Sequence, residues 1–209
     1  MFNSKMVYAC MVGVLLALSS AAQATATSYE FGTLITGYSG APTSPDFGQL
    51  VATDNGGGNW SFTLSTNSNF ESYFGPNAFI GAMAVDFAPP PEHPGDTIGI
   101  SGVSSSVTGL TVGVSSGGGP GGDFDFRYRF GGGSTRLEGD NQYVSWNASG
   151  MVGTIEYLGL HLQSAGKDGC EKGSAWYGPI SAVPEPDTYA LLLAGLGLLG
   201  FTARRKKSQ

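Results

Sequence analysis

The amino-acid sequence predicts an all-β protein with a single β-sandwich domain of the jelly-roll type. Two observations lead to this prediction: no stretch of the chain shows a sustained 3.6-residue hydrophobic period, and short runs rich in β-branched and aromatic residues alternate with turns rich in Gly, Asn and Ser. The domain is predicted to occupy residues 25–182, a length that suits one hydrophobic core. About ten strands in two packed sheets fit this pattern.

The clearest predicted strand is 123–130, in which every second residue is aromatic. Because side chains alternate across a strand, the aromatic residues are expected to face the core and the charged residues to face solvent. The predicted core face consists of Phe124, Phe126, Tyr128 and Phe130. The other predicted strands are 29–36, 49–53, 60–65, 78–87, 97–102, 111–115, 143–147, 154–163 and 174–180. Residues 54–59 are predicted to form a glycine-rich hairpin loop.

The first residues of the chain predict a secretory signal peptide over residues 1–24. Lys5 precedes an apolar run at 6–18, and the small residues Ala22 and Ala24 occupy the two positions that a signal peptidase recognises. Cleavage is therefore expected after Ala24, with cleavage after Ala26 as the alternative. The rest of the chain is predicted to be exported.

The C-terminal residues predict a short membrane anchor. The stretch 188–203 has 16 residues, or about 24 Å as a helix, which is less than the ~30 Å hydrocarbon core of a bilayer. Basic side chains beside a membrane segment stay on the cytoplasmic side. In the tail 204–209 these are Arg204, Arg205, Lys206 and Lys207. The body is therefore expected outside the inner membrane and the tail inside.

A Pro-Glu-Pro sequence, Pro184, Glu185 and Pro186, stands just before the predicted anchor. Proline fixes its own φ, lacks a backbone N–H and pushes the preceding residue toward extended conformations. Residues 183–186 are therefore predicted to be extended and exposed, and to lie outside the sheet.

The Pro-Glu-Pro, the apolar run and the basic end, in this order, resemble the PEP-CTERM sorting signal. The resemblance covers residues 183–209 and implies processing by an exosortase, an integral membrane cysteine transpeptidase of Gram-negative bacteria that make exopolysaccharide. Residues 159–164 and 173–176 are similar to the hairpin that often precedes the Pro-Glu-Pro in such exported proteins. An ordinary C-terminal anchor is the alternative interpretation of the tail.

Charge and cysteine content restrict the possible partners. Residues 25–183 contain five basic and 14 acidic side chains, a formal charge of −9, whereas the full chain carries −6. An acidic body repels nucleic acid, so no nucleic-acid partner is predicted. Cys10 is removed with the signal peptide, which leaves Cys170 without a partner for an intrachain disulfide.

Motifs for catalysis are weak throughout the body. Residues 113–117 match Gly-x-Ser-x-Gly, but a glycine loop follows them where the hydrolase motif requires a helix. The glycines within 117–122 match a dinucleotide fingerprint and precede a predicted strand, again where a helix is required. A nucleophile, a base and an orienting acid could be supplied by Cys170, His161 and Asp168. Nothing in the sequence indicates that the thiol is activated. No catalytic residue and no cofactor is predicted.

Two kinds of binding site remain as weaker candidates. Carboxylates and amides on loops are ligands that calcium prefers, although a solvated strand face explains the same residues better. The calcium candidates are Asp123 and Asp125, with Glu138, Asp140 and Asn141 as a second group. Tryptophans can stack on sugars, although a tryptophan in a strand is more often part of the core. The candidates for sugar stacking are Trp60, Trp146 and Trp176.

The sequence therefore predicts a non-enzymatic exported protein with three parts: a signal peptide at 1–24, a β domain at 25–182 and a sorting signal at 183–209. The predicted partners are an exosortase, the inner membrane as a temporary support, and exopolysaccharide. The predicted final location is the cell surface or the extracellular matrix. The alternative prediction is a lectin-like, carbohydrate-binding module.

Overall fold

A computed structural model describes residues 24–90, 97–122, 124–133, 135–166 and 173–184. Within these residues the chain forms eleven β-strands and one short α-helix. The strands are β1 Thr25–Thr36, β2 Gly48–Asp54, β3 Asn59–Thr66, β4 Phe79–Ala88, β5 Gly99–Ser105, β6 Val112–Ser116, β7 Phe126–Phe130, β8 Leu137–Glu138, β9 Tyr143–Ser149, β10 Thr154–Ala165 and β11 Gly173–Pro184. The helix α1, Phe70–Phe74, lies between β3 and β4.

The strands form one antiparallel sheet in the order β5-β9-β3-β2-β1-β11-β10-β4-β7-β6, and β8 adds to the end of β4. The last strand in sequence, β11, lies in the middle of this order, paired with the first strand β1 on one side and with β10 on the other. The edge strands β5 and β6 approach each other, so the sheet is nearly closed.

The all-β prediction is confirmed, but the strands share one curled sheet where the sequence analysis expects two separate sheets. The two halves of this sheet face each other across the core, with ring centroids 5.6 Å apart for Phe62 and Tyr128 and 5.5 Å apart for Trp60 and Phe87. The pairing of β1 with β11 contains several register shifts. Such bulges bend and twist a strand pair, which lets one sheet fold over on itself.

Strand β7 shows how the alternating pattern builds the core. Phe126, Tyr128 and Phe130 are buried, as the sequence predicts, while Arg127 and Arg129 point to the outer face. The prediction is wrong for Phe124, which precedes the strand and is only partly buried. The strand begins at Phe126 and not at residue 123. Its ladder with β4 ends there because the Asp125 carboxylate accepts a hydrogen bond from the backbone N–H of Phe87 at 2.8 Å.

Trp146 lies at the centre of the aromatic core, with 1% of its surface exposed. Its ring centroid lies 5.0 Å from that of Tyr128, 5.2 Å from Phe62 and 5.4 Å from Phe130. Its indole nitrogen has no hydrogen-bond partner among the described residues, so the side chain stabilises the fold through packing.

The predicted hairpin loop at 54–59 is confirmed as the connection between β2 and β3. The Asp54 carboxylate accepts a hydrogen bond from the backbone N–H of Gly56 at 2.8 Å. Gly56, Gly57 and Gly58 all have positive φ, which glycine adopts without steric cost.

Helix α1 and strand β8 are too short to be predicted from sequence periodicity. The Asp140 carboxylate accepts a hydrogen bond from the backbone N–H of Glu71 at 2.9 Å, which satisfies one free donor at the start of α1. The helix buries Phe70 and Phe74 against Phe47, with the Phe74 and Phe47 centroids 5.0 Å apart.

The substitution Trp146→Ala is expected to lower the free energy of unfolding by about 3–5 kcal/mol, because it leaves a cavity at the centre of the core. The measurement is urea unfolding of the full-length protein in detergent micelles, followed by far-UV circular dichroism. Tyr157→Ala is the control, since 66% of the Tyr157 side chain is exposed and its loss should cost less than about 1 kcal/mol. Equal losses for the two variants would contradict the packing described above.

Candidate functional site

The Pro-Glu-Pro sequence begins inside the sheet. Strand β11 ends at Pro184, where Val183 pairs with Ser28 and Pro184 pairs with Thr27 of β1. The expectation that residues 183–186 lie outside the sheet is therefore wrong for Val183 and Pro184. A proline is tolerated there because it is the last residue of its strand, where only one ladder donor is lost. Glu185 and Pro186 lie outside the described residues.

The two ends of the body meet at one place on the sheet. Strand β1 begins at Thr25, directly after the predicted cleavage position at Ala24, and Thr25 pairs with Asp54 of β2. Only three residues separate Pro184 from the start of the predicted anchor at Thr188, a reach of about 10 Å. The body is thus tied closely to both predicted targeting segments.

Most of the predicted targeting residues lie outside the described residues. These are Ala22, the helix 188–203 and its basic residues Arg204, Arg205, Lys206 and Lys207. Within the part of the chain that the structure describes, no helix combines the length and apolar character needed to cross a membrane.

Two of the three tryptophans that the sequence suggests for sugar stacking are buried in the structure. Trp60 and Trp146 are 8% and 1% exposed, and both belong to the aromatic core. The indole N–H of Trp60 donates a hydrogen bond to the backbone carbonyl of Met151 at 3.2 Å, so its polar edge is also satisfied inside the fold. Both side chains point toward the core, so neither can contact a sugar.

Trp176 lies on the outer face of β11 and is half-buried. Its indole stacks on the imidazole of His161, with centroids 4.4 Å apart and an angle of 8° between the rings. This contact arises from the register, because Trp176 and His161 are direct partners in the β10–β11 ladder. Trp176 is therefore the remaining aromatic candidate on the surface.

His161 is held by two further contacts on the outer face. Its Nε2 lies 2.6 Å from Ser174 Oγ, and its Nδ1 lies 3.2 Å from the Gln163 amide nitrogen. Burial lowers the pKa of His161 from its ordinary value of 6.5, and the positive charge of Arg127 lowers this pKa further. The imidazole is consequently neutral at pH 7. Cys170 and Asp168, its hypothetical catalytic partners, lie outside the described residues.

Ser115 is not part of a nucleophile elbow. It lies in β6, and glycines with positive φ follow the strand in place of a helix. Its Oγ accepts a hydrogen bond from Arg127 Nε at 3.2 Å.

The predicted calcium ligands are not assembled in the described part of the chain. Asp125 lies beside Asp86, whose pKa is raised by burial and by the hydrogen bond and negative charge of Asp125. Asp140 caps α1, and Asp123 lies outside the described residues. No group of three or more His, Cys, Asp or Glu side chains suitable for a metal ion occurs among the residues described. These residues stay weak candidates for calcium, and a solvated strand face stays the favoured interpretation.

A groove that the sequence analysis does not predict lies on the outer face, between β7 and β10. Arg127, Arg129 and Arg136 line one side, His161 and Gln163 line the other, and we call this feature the arginine groove. The only signal in the sequence is that three of the five basic residues of the body fall within 127–136. The partners on β10 come from a distant part of the chain, so only the fold brings the set together.

These observations define an all-β domain whose last strand leads directly into a C-terminal motif. Residues 182–206 match the family model of the PEP-CTERM protein-sorting motif. The chain therefore carries a C-terminal PEP-CTERM sorting motif, which confirms the resemblance found in the sequence. The motif supports export, sorting at the membrane and targeting to an exosortase.

Two further comparisons concern the whole chain. A solved structure from work on the pH-induced modulation of Streptococcus parasanguinis adhesion by Fap1 fimbriae is similar over 78% of this chain and 95% of that chain. The sequence identity is 9% and the TM-score is 0.42. None of the curated proteins matches the chain.

His161 is expected to make the fold less stable in mild acid. Its pKa is lower in the folded protein than in the unfolded chain, so the unfolded chain takes up a proton first as the pH falls below 6.5. The free energy of unfolding should therefore fall as the pH drops from 6.5 through the folded-state pKa. The measurement is urea unfolding of the full-length protein between pH 7.5 and about 5.5.

The variant His161→Gln should lose part of this dependence, because glutamine does not titrate. Val152→Thr is the control, because 71% of the Val152 surface is exposed and neither valine nor threonine titrates in this pH range. A pH dependence between 6.5 and 5.5 that is identical in wild type and His161→Gln would contradict this assignment.

Proposed function

We propose that this protein is a non-enzymatic exported protein that an exosortase processes at Pro184, Glu185 and Pro186 and that acts at the cell surface or in the extracellular matrix. The observation that carries the proposal is the match of residues 182–206 to the sorting motif, directly continuous with β11. The folded body and the motif are thus joined without an intervening linker.

The strand pairing supports processing beside the body. Pro184 offers no N–H to β1, and Pro186 offers none either, so the ladder is weakened where the motif begins. An enzyme in the membrane can engage residues beyond Pro184 while β11 stays paired with β1 and β10. Processing there releases the anchor and leaves the sheet complete.

The anchor itself is proposed to be temporary. A helix over 188–203 would reach about 24 Å, which is less than the ~30 Å hydrocarbon core. The body is first held at the outer side of the inner membrane and is then freed or attached elsewhere. Association with exopolysaccharide is part of this proposal, because the sorting family implies that setting.

Carbohydrate binding by the body is the second candidate function. The supporting observation is the outer face of β10 and β11, where the stacked Trp176 and His161 adjoin the arginine groove. An aromatic surface beside several hydrogen-bond donors suits a saccharide. Trp176 is the member of the predicted tryptophan set on which this candidate depends.

Processing is tested with the triple variant Pro184→Ala, Glu185→Ala and Pro186→Ala. The variant is expected to keep its full C-terminus and to stay in the membrane fraction, because the motif is lost and two restored N–H groups allow pairing with β1 to extend. Mass spectrometry of the intact protein, from the membrane fraction and from the medium, gives the position of the C-terminus.

A matched control carries three alanines on the exposed edge strand β5, at Ser101, Val103 and Ser104. This control should be shortened and released like the wild type. The proposal is wrong if the motif variant is processed at the wild-type position and to the same extent.

A further inference from the structure

We propose that the arginine groove binds a saccharide that bears a carboxylate group. This inference builds on the second candidate function, carbohydrate binding, and specifies the chemistry of the ligand. It depends on the position of the charges, on the shape of the groove and on the way the side chains are held.

Charge is sharply divided over the described part of the chain. All three of its basic residues, Arg127, Arg129 and Arg136, line the arginine groove. No acidic residue lines this groove, although the body as a whole carries a formal charge of −9. The groove is thus a local positive site on an acidic protein, and it favours a ligand with an anionic group.

Small residues on β4 form the floor of the groove. Ala82 pairs with Arg129 of β7 on one side and with His161 of β10 on the other. Next to it, a Cβ atom added to Gly81 would lie 3.2 Å from the Gln163 side chain. The long side chains of β7 and β10 therefore lie on either side of β4, whose outward-facing residues are small here.

Two of the three arginines are held in place before any ligand arrives. Arg127 Nε donates a hydrogen bond to Ser115 Oγ at 3.2 Å. The Arg136 guanidinium carbon lies 4.3 Å from the centroid of the Phe79 ring, a cation–π contact. Arg129 is exposed at the rim. Held side chains lose less conformational entropy on binding, which favours affinity.

Within the part of the chain that the structure describes, the arginines keep most of their donors available. A guanidinium group has five N–H donors in a planar fork that fits the two oxygens of a carboxylate. Among the described residues, the hydrogen bond of Arg127 to Ser115 uses one of these donors, and the contact of Arg136 is with a ring face. Such charge-assisted, two-point contacts are among the stronger hydrogen bonds in proteins.

The opposite wall suits the uncharged part of a sugar. Gln163 supplies an amide, and His161 is neutral at pH 7 because burial lowers its pKa. Behind His161, the stacked Trp176 extends the aromatic surface. One wall therefore offers positive charge and the other offers neutral polar and aromatic groups, which matches a sugar ring with one carboxylate.

The size and the overall charge argue for a saccharide over a denser polyanion. The groove has a volume of about 410 Å³, within the ~300–1,000 Å³ typical of ligand sites. Nucleic acid carries about one charge per 1.7 Å, and the surrounding acidic body would repel it beyond the groove. A sugar chain with one carboxylate per residue places less charge on that surface.

The test uses the full-length protein in detergent micelles and isothermal titration calorimetry. The probes are a galacturonic acid trisaccharide, the methyl ester of that trisaccharide and a peptide of glutamates with the same number of carboxylates. The acid is expected to bind at least about tenfold more tightly than the ester, because the ester has no negative charge and lacks the second carboxylate oxygen that pairs with the guanidinium fork. Raising the salt concentration should weaken binding of the acid.

Two variants at one position separate charge from geometry. Arg129→Gln should weaken binding of the acid by about tenfold or more, and Arg129→Lys should give an intermediate affinity, because lysine keeps the charge but not the planar fork. Tyr157→Ser, an exposed change on the outer face beyond the groove, should bind like the wild type. Circular dichroism checks that each variant is folded.

Several outcomes would overturn the inference. If the ester binds as tightly as the acid, the protein binds carbohydrate, but the proposed recognition of the carboxylate is wrong. If the glutamate peptide binds as tightly as the trisaccharide, the ligand is not a saccharide. If Arg129→Gln binds the acid like the wild type, the groove is not the site. If neither sugar binds, this inference and the carbohydrate function both fail.

Discussion

The pairing of β11 with both β1 and β10 is the constraint on which the rest of the structure depends. Strand β11 lies between the two halves of the sheet, so its hydrogen bonds join the half formed by β1, β2, β3, β9 and β5 to the half formed by β10, β4, β7 and β6. The facing aromatic side chains then fill the space between the halves. A sheet curled in this way buries its inner face without a second sheet.

This constraint places the sorting motif at the edge of a completed fold. The strand that closes the sheet is also the strand that carries Pro184, and it pairs with the first strand of the body. Thr25, which follows the predicted cleavage position at Ala24, and Pro184 therefore lie at one end of the sheet. The pairing of the residues up to Pro184 joins the two halves, so the proposed processing is expected beyond Pro184.

The same sheet divides its side chains between two environments. The inner face holds Trp60 and Trp146 among other aromatic rings, where dispersion and area burial stabilise the fold. The outer face holds Arg127 and Arg129 of β7, with Arg136 just before β8, beside His161 and Gln163 of β10. Burial also explains the lowered pKa of His161, which keeps this histidine neutral in a groove that is already positively charged.

The sequence by itself determined the features that depend on local pattern and composition. The alternation in β7, the glycine turn at 54–59 and most strand positions follow from side-chain periodicity and backbone preference. The sorting signal is a linear motif, and the family match at 182–206 confirms it without reference to the fold. Local chemistry is enough for these features because each depends on neighbours within a few residues.

Only the tertiary structure decided which residues meet across the sheet. Sequence pattern could not place Trp60 and Trp146 inside and Trp176 outside, since all three lie in strands with similar surroundings. It also could not pair Pro184 with Thr27 or set His161 opposite Arg129, because those contacts join residues far apart in the chain. The physical reason is register: each strand alternates its faces, and long-range hydrogen bonding selects the partner that each face receives.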